Sequence, residues 1–476
     1  MRYVSTRGQS PPVSFLDAVL AGLAPDGGLY VPESWPNVFD GDEGIGRDNA
    51  ATALYEVAAS EVLAAFSQDD LSHQEAFNAT FTAYFGDPGG PYNFPTHVTP
   101  LVQIGSGRWV LELFHGPSLS FKDVAMQLIG PLYEFALAKR DQRLSVVCAT
   151  SGDTGGAAVE ALKGRERADL FVLLPKGRVS DVQRLFMTAS GASNVHAIEI
   201  DSDFDACQAI VKSMFADRDF SARASLSGVN SINWARIVAQ SVYYHVAANI
   251  LSAPGPVSFA VPTGNFGDAF SGYVAKQCGA PIGQILIATN SNDILARALN
   301  TGRYERAAHS HATLSPAMDI QVASNFERML FEALDRDGDA VRRLYEQFAQ
   351  SGEFDIPRYA LDKMREHFAP ASVDDAETAD EMRVSWASGE GYLACPHTAV
   401  AMRAQRKVNG MNAPIVTLAT AHPAKFPDTV EAATGLRPPL PARCADLFER
   451  TEKFDTLPAE VEAVKSFIRE RTRAWR

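Results

Sequence analysis

The chain has 476 residues, 46% of them apolar and 21% charged, enough to fill about two or three hydrophobic cores. Its formal net charge of −14 excludes general binding to nucleic acid or to an acidic membrane, which needs a basic face. A small anionic ligand is still allowed, because a few local amides and cations suffice to hold one. The five cysteines (Cys148, Cys207, Cys278, Cys395 and Cys444) are scattered without a CxxC pair, so neither a zinc site nor a disulfide framework is expected. The start "MRYVSTRGQSPPVSF" lacks the apolar core of a secretory signal, and no apolar run reaches the ~18 residues of a membrane span. A reducing cytoplasm is the expected home.

The first 95 or so residues read as a domain of mixed pattern. Ser14 and Asp17 have the spacing of a capping box, for a short helix that stops at the Pro25-Asp26-Gly27-Gly28 turn. Next comes "FHGPSLSFKD" and a helical run beginning "VAMQLIGPLYEF". Ser120 and Asp123 again fit a capping box, which makes Phe121 and Lys122 the first helical residues. A lysine there is misplaced as a structural residue. Helix N-termini favour anions, and the flanking Phe121, Val124, Ala125 and Leu128 predict burial. A positive helix end and apolar walls both lower an amine's proton affinity, which suits a nucleophilic, Schiff-base-forming lysine.

From residue 144 onward a unit recurs: a short apolar run, a Gly-rich or polar turn, then a helical pattern. "LSVVCAT" leads through "SGDTGG" into "AAVEALKG", and "LFVLLP" through "KGRV" into "SDVQRLFMTAS". "VSFAVP" leads through "TGNFGD" into "AFSGYVAKQCG"; "QILIAT" and "PIVTLAT" open two further units. Such alternation predicts a mostly parallel α/β sheet with ligand loops at the strand C-terminal ends. Between about 300 and 390 the strand pattern stops and the segment reads as a helical insertion. The core resumes from 390 to 435, and residues 436–476 look helical and peripheral.

Two of the turns have the chemistry of anion cradles. In 150–156, hydroxyls of Thr150, Ser151 and Thr154 alternate with glycines ahead of a helix; in 263–268, Gly264, Asn265, Phe266, Gly267 and Asp268 do the same. Neither is a Walker loop or a GxGxxG fingerprint. Two cradles suit two anionic groups, such as a cofactor phosphate and a substrate carboxylate. Lys176, Arg178, Arg184 and Arg236 are cations near predicted element ends. His115, His397 and His422 lack metal-ligand spacing, so no metal is expected.

A lysine after a Ser-rich loop, then SGDTG, then GNFG, resembles the pyridoxal-phosphate enzymes of the tryptophan-synthase β fold (fold type II). Within them the chain is most similar to threonine synthases of the longer kind, with an N-terminal extension. "GLAPDGGLYVPE", "VNSINWARI", "SPAMDIQVASNFER", "CPHTAVA" and "ATAHPAKF" carry that narrower resemblance. It implies a lyase acting on O-phospho-L-homoserine: a proton leaves Cα and another Cβ, phosphate leaves Cγ, Cγ is protonated, water adds at Cβ, and threonine is released. Lys122 is then the Schiff-base lysine and proton shuttle. Gly264, Asn265, Phe266, Gly267 and Asp268 hold the cofactor phosphate, Asp153 stands near the ring's 3-oxygen, and Thr420, or alternatively Thr417, faces the pyridine nitrogen. Thr150, Ser151 and Thr154 bind the substrate carboxylate. Asn230, Ser231 and Arg236 grip its phosphate, with Lys176 or Arg184 as further candidates. The resemblance leaves open a monomer or a homodimer. Rival readings are a phospho-lyase or a serine or threonine dehydratase on the same cofactor, and a non-catalytic binding protein that keeps the fold.

Overall fold

The computed structural model describes residues 1–38, 51–86, 93–94, 97–251, 255–387, 391–408, 411 and 414–476. Strands Leu144–Ala149, Ala168–Pro175 and Val257–Pro262 are apolar along almost their whole length and buried on both faces, as central strands of parallel sheets must be. They belong to two sheets. The six-stranded one runs Phe368–Ser372, Ile282–Thr289, Val257–Pro262, Ile415–Ala419, Arg108–Glu112, Leu101–Gly105, parallel except for the last pair. The five-stranded one runs Asp455–Leu457, Val195–Ile200, Ala168–Pro175, Leu144–Ala149, Leu226–Ser227 and is parallel throughout. This is the α/β architecture expected from the alternating pattern.

Helices Lys122–Arg140 and Trp234–Leu251 are apolar on nearly every face, so both are sheathed by other elements. The Lys122 helix packs on helix Asp153–Leu162 so tightly that a Cβ at Gly130 would lie 2.5 Å from the Ala161 carbonyl oxygen. That approach sets the distance between the two helices that carry Lys122 and Asp153. The N-terminal residues join the same apolar cluster: Tyr3 and Phe66 pack their rings 5.9 and 5.8 Å from that of Trp234. Helix Phe15–Ala21 is capped by Ser14, whose Oγ accepts the Asp17 amide at 3.3 Å, and it ends at Gly22, short of the predicted turn.

Two expectations need correction. The stretch from 300 to 390 is not purely helical: strands Arg303–Glu305 and Glu353–Asp355 pair with each other, and Phe368–Ser372 forms an edge of the six-stranded sheet. "FAPAS" hides that role, because a proline at a sheet edge breaks the usual apolar signature. Nor is the C-terminal segment peripheral. Asp455–Leu457 is an edge strand, and Val464, Phe467 and Ile468 of helix Val461–Arg471 fill the core beside Phe171 and Ile198. The proposed divisions at 95/96 and at 390 lie outside the described residues.

Replacing Gly130 with Ala is expected to push the Lys122 and Asp153 helices apart and to destabilise the fold by about 1–3 kcal/mol, as overpacking does. Thermal melting, with Gly255→Ala as a tolerant control of open surroundings, checks this.

Candidate active site

The Lys122 loop is held by a second chain segment. Phe121 N donates to the Thr420 carbonyl at 2.8 Å, Ser120 bridges Ala421, and His422 N donates to the Leu119 carbonyl at 3.0 Å. Leu119 is fully buried at a positive φ of 63°, a strained conformation that these three contacts lock in place. The predicted capping box is not formed, since Ser120 makes no cap and Phe121 is the N-cap. Instead the Asp123 carboxylate turns back into the loop. It accepts the Ser118 amide at 2.9 Å, the Ser118 hydroxyl at 2.6 Å and the Ser120 amide at 3.3 Å. The S-x-x-D spacing serves both arrangements, so sequence alone does not separate them.

Lys122 is buried, with Nζ 4.6 Å from the centre of the Phe121 ring and 3.4 Å from Asp153 Oδ2. Burial lowers its proton affinity most; Asp153 opposes this, while Arg236 and Lys425 add to it. Burial alone would raise the Asp153 carboxyl. Lys425, Lys122 and Gln183 outweigh it and hold the group well below the usual carboxylate range. Lys425 Nζ lies 2.8 Å from Asp153 Oδ1 and donates to the Ser118 carbonyl at 2.7 Å, and Gln183 Nε2 donates to Oδ1 at 2.8 Å. Gly152, at φ +139°, ends the strand-to-helix turn where a Cβ would strike Gln183 at 2.5 Å.

A cavity of about 1470 Å³ opens over Lys122, and it is lined by Asp153, Thr150, Ser151, Thr154, Asn230, Ser231, Arg236, the 264–268 loop and Thr420. Within the first cradle Thr150 is structural as well, its Oγ1 accepting the amides of Gly152 and Gly155 at 2.9 Å each. In the second, Phe266 sits at a φ of 64° with its ring packed between Phe326 and Phe368. Among the described residues, the amides of Asn265, Phe266, Gly267 and Asp268 find no acceptor in the chain. They stand at the N-terminus of helix Gly267–Gln277, the place where an anion is best received. A Cβ at Gly264 or Gly267 would stand 3.0 Å from Ala317 O or Asn325 Nδ2, so a side chain there would force these neighbours to give way. Asp268 Oδ1 accepts the hydroxyls of Tyr243 at 2.5 Å and Tyr244 at 3.0 Å while its buried Oδ2 has no partner, and burial pushes the carboxyl up to about 6. What Asp268 offers an anion is its amide.

Arg236 is buried with NH1 donating to the Val229 carbonyl at 3.3 Å and Nε left without a partner. Burial pushes its guanidinium down to about 10. A buried cation short of partners at a cavity wall is suited to an anionic ligand. Lys176, Arg178 and Arg184 are not at this cavity: Lys176 faces Asp201 at 3.4 Å beside Arg178, and Arg184 pairs with Glu452 and Asp181. Thr417 is also apart, its hydroxyl 3.2 Å from Gln405 Oε1, so that of the two candidates only Thr420 lines the cavity. His397 lines the cavity with Nε2 accepting the Ala317 amide at 3.2 Å, and burial pushes it down to about 4. Sequence reasoning assigned no role to Gln183, Asn325 or Lys425. Only Lys425 carried a signal: a long cation within apolar "AHPAKF", the same anomaly that marked Lys122.

Similarity to known proteins agrees with this geometry. Residues 93–352 match the family described as pyridoxal-phosphate dependent enzyme, residues 2–84 the threonine synthase N terminus and 398–468 the threonine synthase C-terminal region. The threonine synthase of Pseudomonas aeruginosa is 45% identical, with 98% of each chain covered. The chain belongs to the threonine synthase family. Its fold superposes on the structure of PLP-bound threonine synthase from Brucella melitensis with a TM-score of 0.93, at 49% identity and 100% coverage of both chains. For threonine synthase from yeast the TM-score is 0.90 at 35% identity, covering 99% of this chain and 98% of that one.

Replacing Arg236 with Met is expected to raise the melting temperature of the ligand-free protein, by about 1–2 kcal/mol of stability, because a poorly partnered buried cation is removed. The same change is expected to abolish stabilisation by added inorganic phosphate; paired thermal melts with and without phosphate check both effects.

Proposed function

We propose that this protein converts O-phospho-L-homoserine and water to L-threonine and phosphate, with pyridoxal phosphate as cofactor. One observation carries the reading. A single cavity joins a buried amine of lowered proton affinity, a set of unclaimed helix-end amides and a buried guanidinium short of partners. The donor set fits the cofactor. Lys122 would carry it covalently, the amides of 265–268 would hold its phosphate, Asp153 would lie by its ring oxygen, and Thr420 by its ring nitrogen.

When bound, pyridoxal phosphate supplies an electron sink that lets the carbon bearing the amino group give up its proton. The rest falls to the chain. Ser151 and Thr154, at the head of helix Asp153–Leu162, orient the substrate carboxylate, and Thr150 keeps that turn in shape through its two amide bonds. Asn230, Ser231 and Arg236 hold the substrate phosphate, which completes the guanidinium's contacts and keeps the leaving group over the cation as it departs from Cγ. Lys122 takes the proton from Cα and serves the neighbouring carbons in turn. One mobile base of lowered proton affinity suits successive transfers near neutral pH. A cytoplasmic setting is supported by five buried cysteines that remain free thiols. No described helix is long and apolar enough to cross a membrane.

Incubation with O-phospho-L-homoserine is expected to yield L-threonine and phosphate in equal amounts; 2-oxobutyrate without threonine would overturn the proposal. Lys122→Ala is expected to lower turnover by about 10²–10⁴-fold or more. It should also abolish the visible absorbance of bound cofactor.

A further inference from the structure

Lys425 has no part in the roles above, yet it is the most deeply buried lysine of the chain, 1% exposed, in the short turn Pro423–Lys425. Its Nζ makes the two short contacts already described, to Asp153 Oδ1 and the Ser118 carbonyl. Its own carbonyl accepts the Ser180 hydroxyl at 3.2 Å, and Ser180 Oγ in turn accepts the Gln183 amide at 3.3 Å. The two donors on Asp153 Oδ1 are therefore tied to each other through one serine. Lys122 has only the looser contact, 3.4 Å to Oδ2.

We propose that Lys425 is a positioning residue for the reaction: its ammonium fixes Asp153 by Oδ1 and carries the countercharge, so that Lys122 stands beside that carboxylate without having to be its cation. The inference rests on Lys122 being the reactive amine. A carboxylate this deeply buried requires a positive partner. Were Lys122 the only one, ion pairing would hold it as an ammonium, unable to accept a proton. With Lys425 in place the need is already met, and the second cation itself disfavours a proton on Lys122.

Other groups face this cluster. Arg236 and Asp268 lie on the Lys122 side, Asp123 and His422 on the Lys425 side, and His397 and Cys395 near Asp153. Burial pushes both histidines down to about 4 and the Cys395 thiol up, so these three are neutral around pH 7. Burial pushes Asp123 and Asp268 up to about 6. All of them are common to the variants compared, so a difference between variants reports on Lys425 and Asp153.

The test is a pH titration of the visible absorbance of the cofactor-loaded protein, beside the pH profile of kcat. In Lys425→Met the uncompensated Asp153 is expected to hold a proton on the Lys122 nitrogen, moving the transition up by about one to three pH units. At neutral pH kcat falls by at least about tenfold, and it recovers at higher pH with KM little changed. In the Asp153→Asn, Lys425→Met double variant the transition is expected to return toward its original position. Asp153→Asn alone leaves Lys425 unopposed and moves it down, which keeps the test decisive if Lys425→Met does not fold. A transition unmoved in Asp153→Asn, or a Lys425→Met displacement that the double variant does not reverse, overturns the proposal. The absorbance titration needs no turnover. A wild-type protein that made 2-oxobutyrate would overturn the assigned reaction and still let the role of Lys425 be judged.

Discussion

Two lysines share one buried carboxylate, and much of the site is arranged around that fact. Asp153 is affordable in the interior only because Lys425 and Lys122 approach it from two sides, with Gln183 completing its contacts. The four residues come from four separate elements: the heads of helices Lys122–Arg140, Asp153–Leu162 and Asp181–Thr188, and the turn Pro423–Lys425. None of these could shift alone without costing Asp153 one of its partners in an apolar setting. The cluster is thus also a gauge of assembly, since its set of contacts is complete only when all four elements are in place.

Around this fixed point the protein leaves other polar groups incompletely satisfied. The amides of residues 265–268 and the Arg236 Nε are the clearest cases. In a structural region such groups would be a cost with no return. Here they lie on the wall of one cavity together with Lys122, where an anionic ligand would complete them. Leu119, three residues before Lys122, and Phe266, within the 263–268 turn, are both at positive φ, a backbone that Asp141, Ser225, Asp335 and Arg336 also adopt elsewhere in the fold.

How legible this was depended on how local each interaction is. Lys122 stood out because a long cation among Phe121, Val124 and Leu128 contradicts its surroundings within a few residues. The cradles at 150–156 and 263–268 were readable because strand, glycine turn and helix follow one another directly. Ser120 was misread because a capping box and a carboxylate folded back on loop amides share one spacing. Lys425 escaped assignment because its partners, Ser118 and Asp153, are remote in sequence and are met only after the chain has folded. Strand Phe368–Ser372 was missed for a related reason, since it is defined by its neighbour Ile282–Thr289 rather than by its own composition.

The strand Ile415–Ala419 arrives late in the chain yet lies near the middle of the larger sheet, between Val257–Pro262 and Arg108–Glu112. Until it is inserted, the sheet is two unconnected halves with open edges facing each other. A nascent chain that had emerged only as far as residue 408 would hold Lys122, both cradles and the helices behind them. It would still lack the segment that locks the Lys122 loop and neutralises Asp153. Synthesis from N- to C-terminus therefore delays the reactive amine's final setting until nearly all the protein exists. It also leaves two apolar sheet edges exposed during that interval, a window in which chaperone binding or aggregation competes with closure.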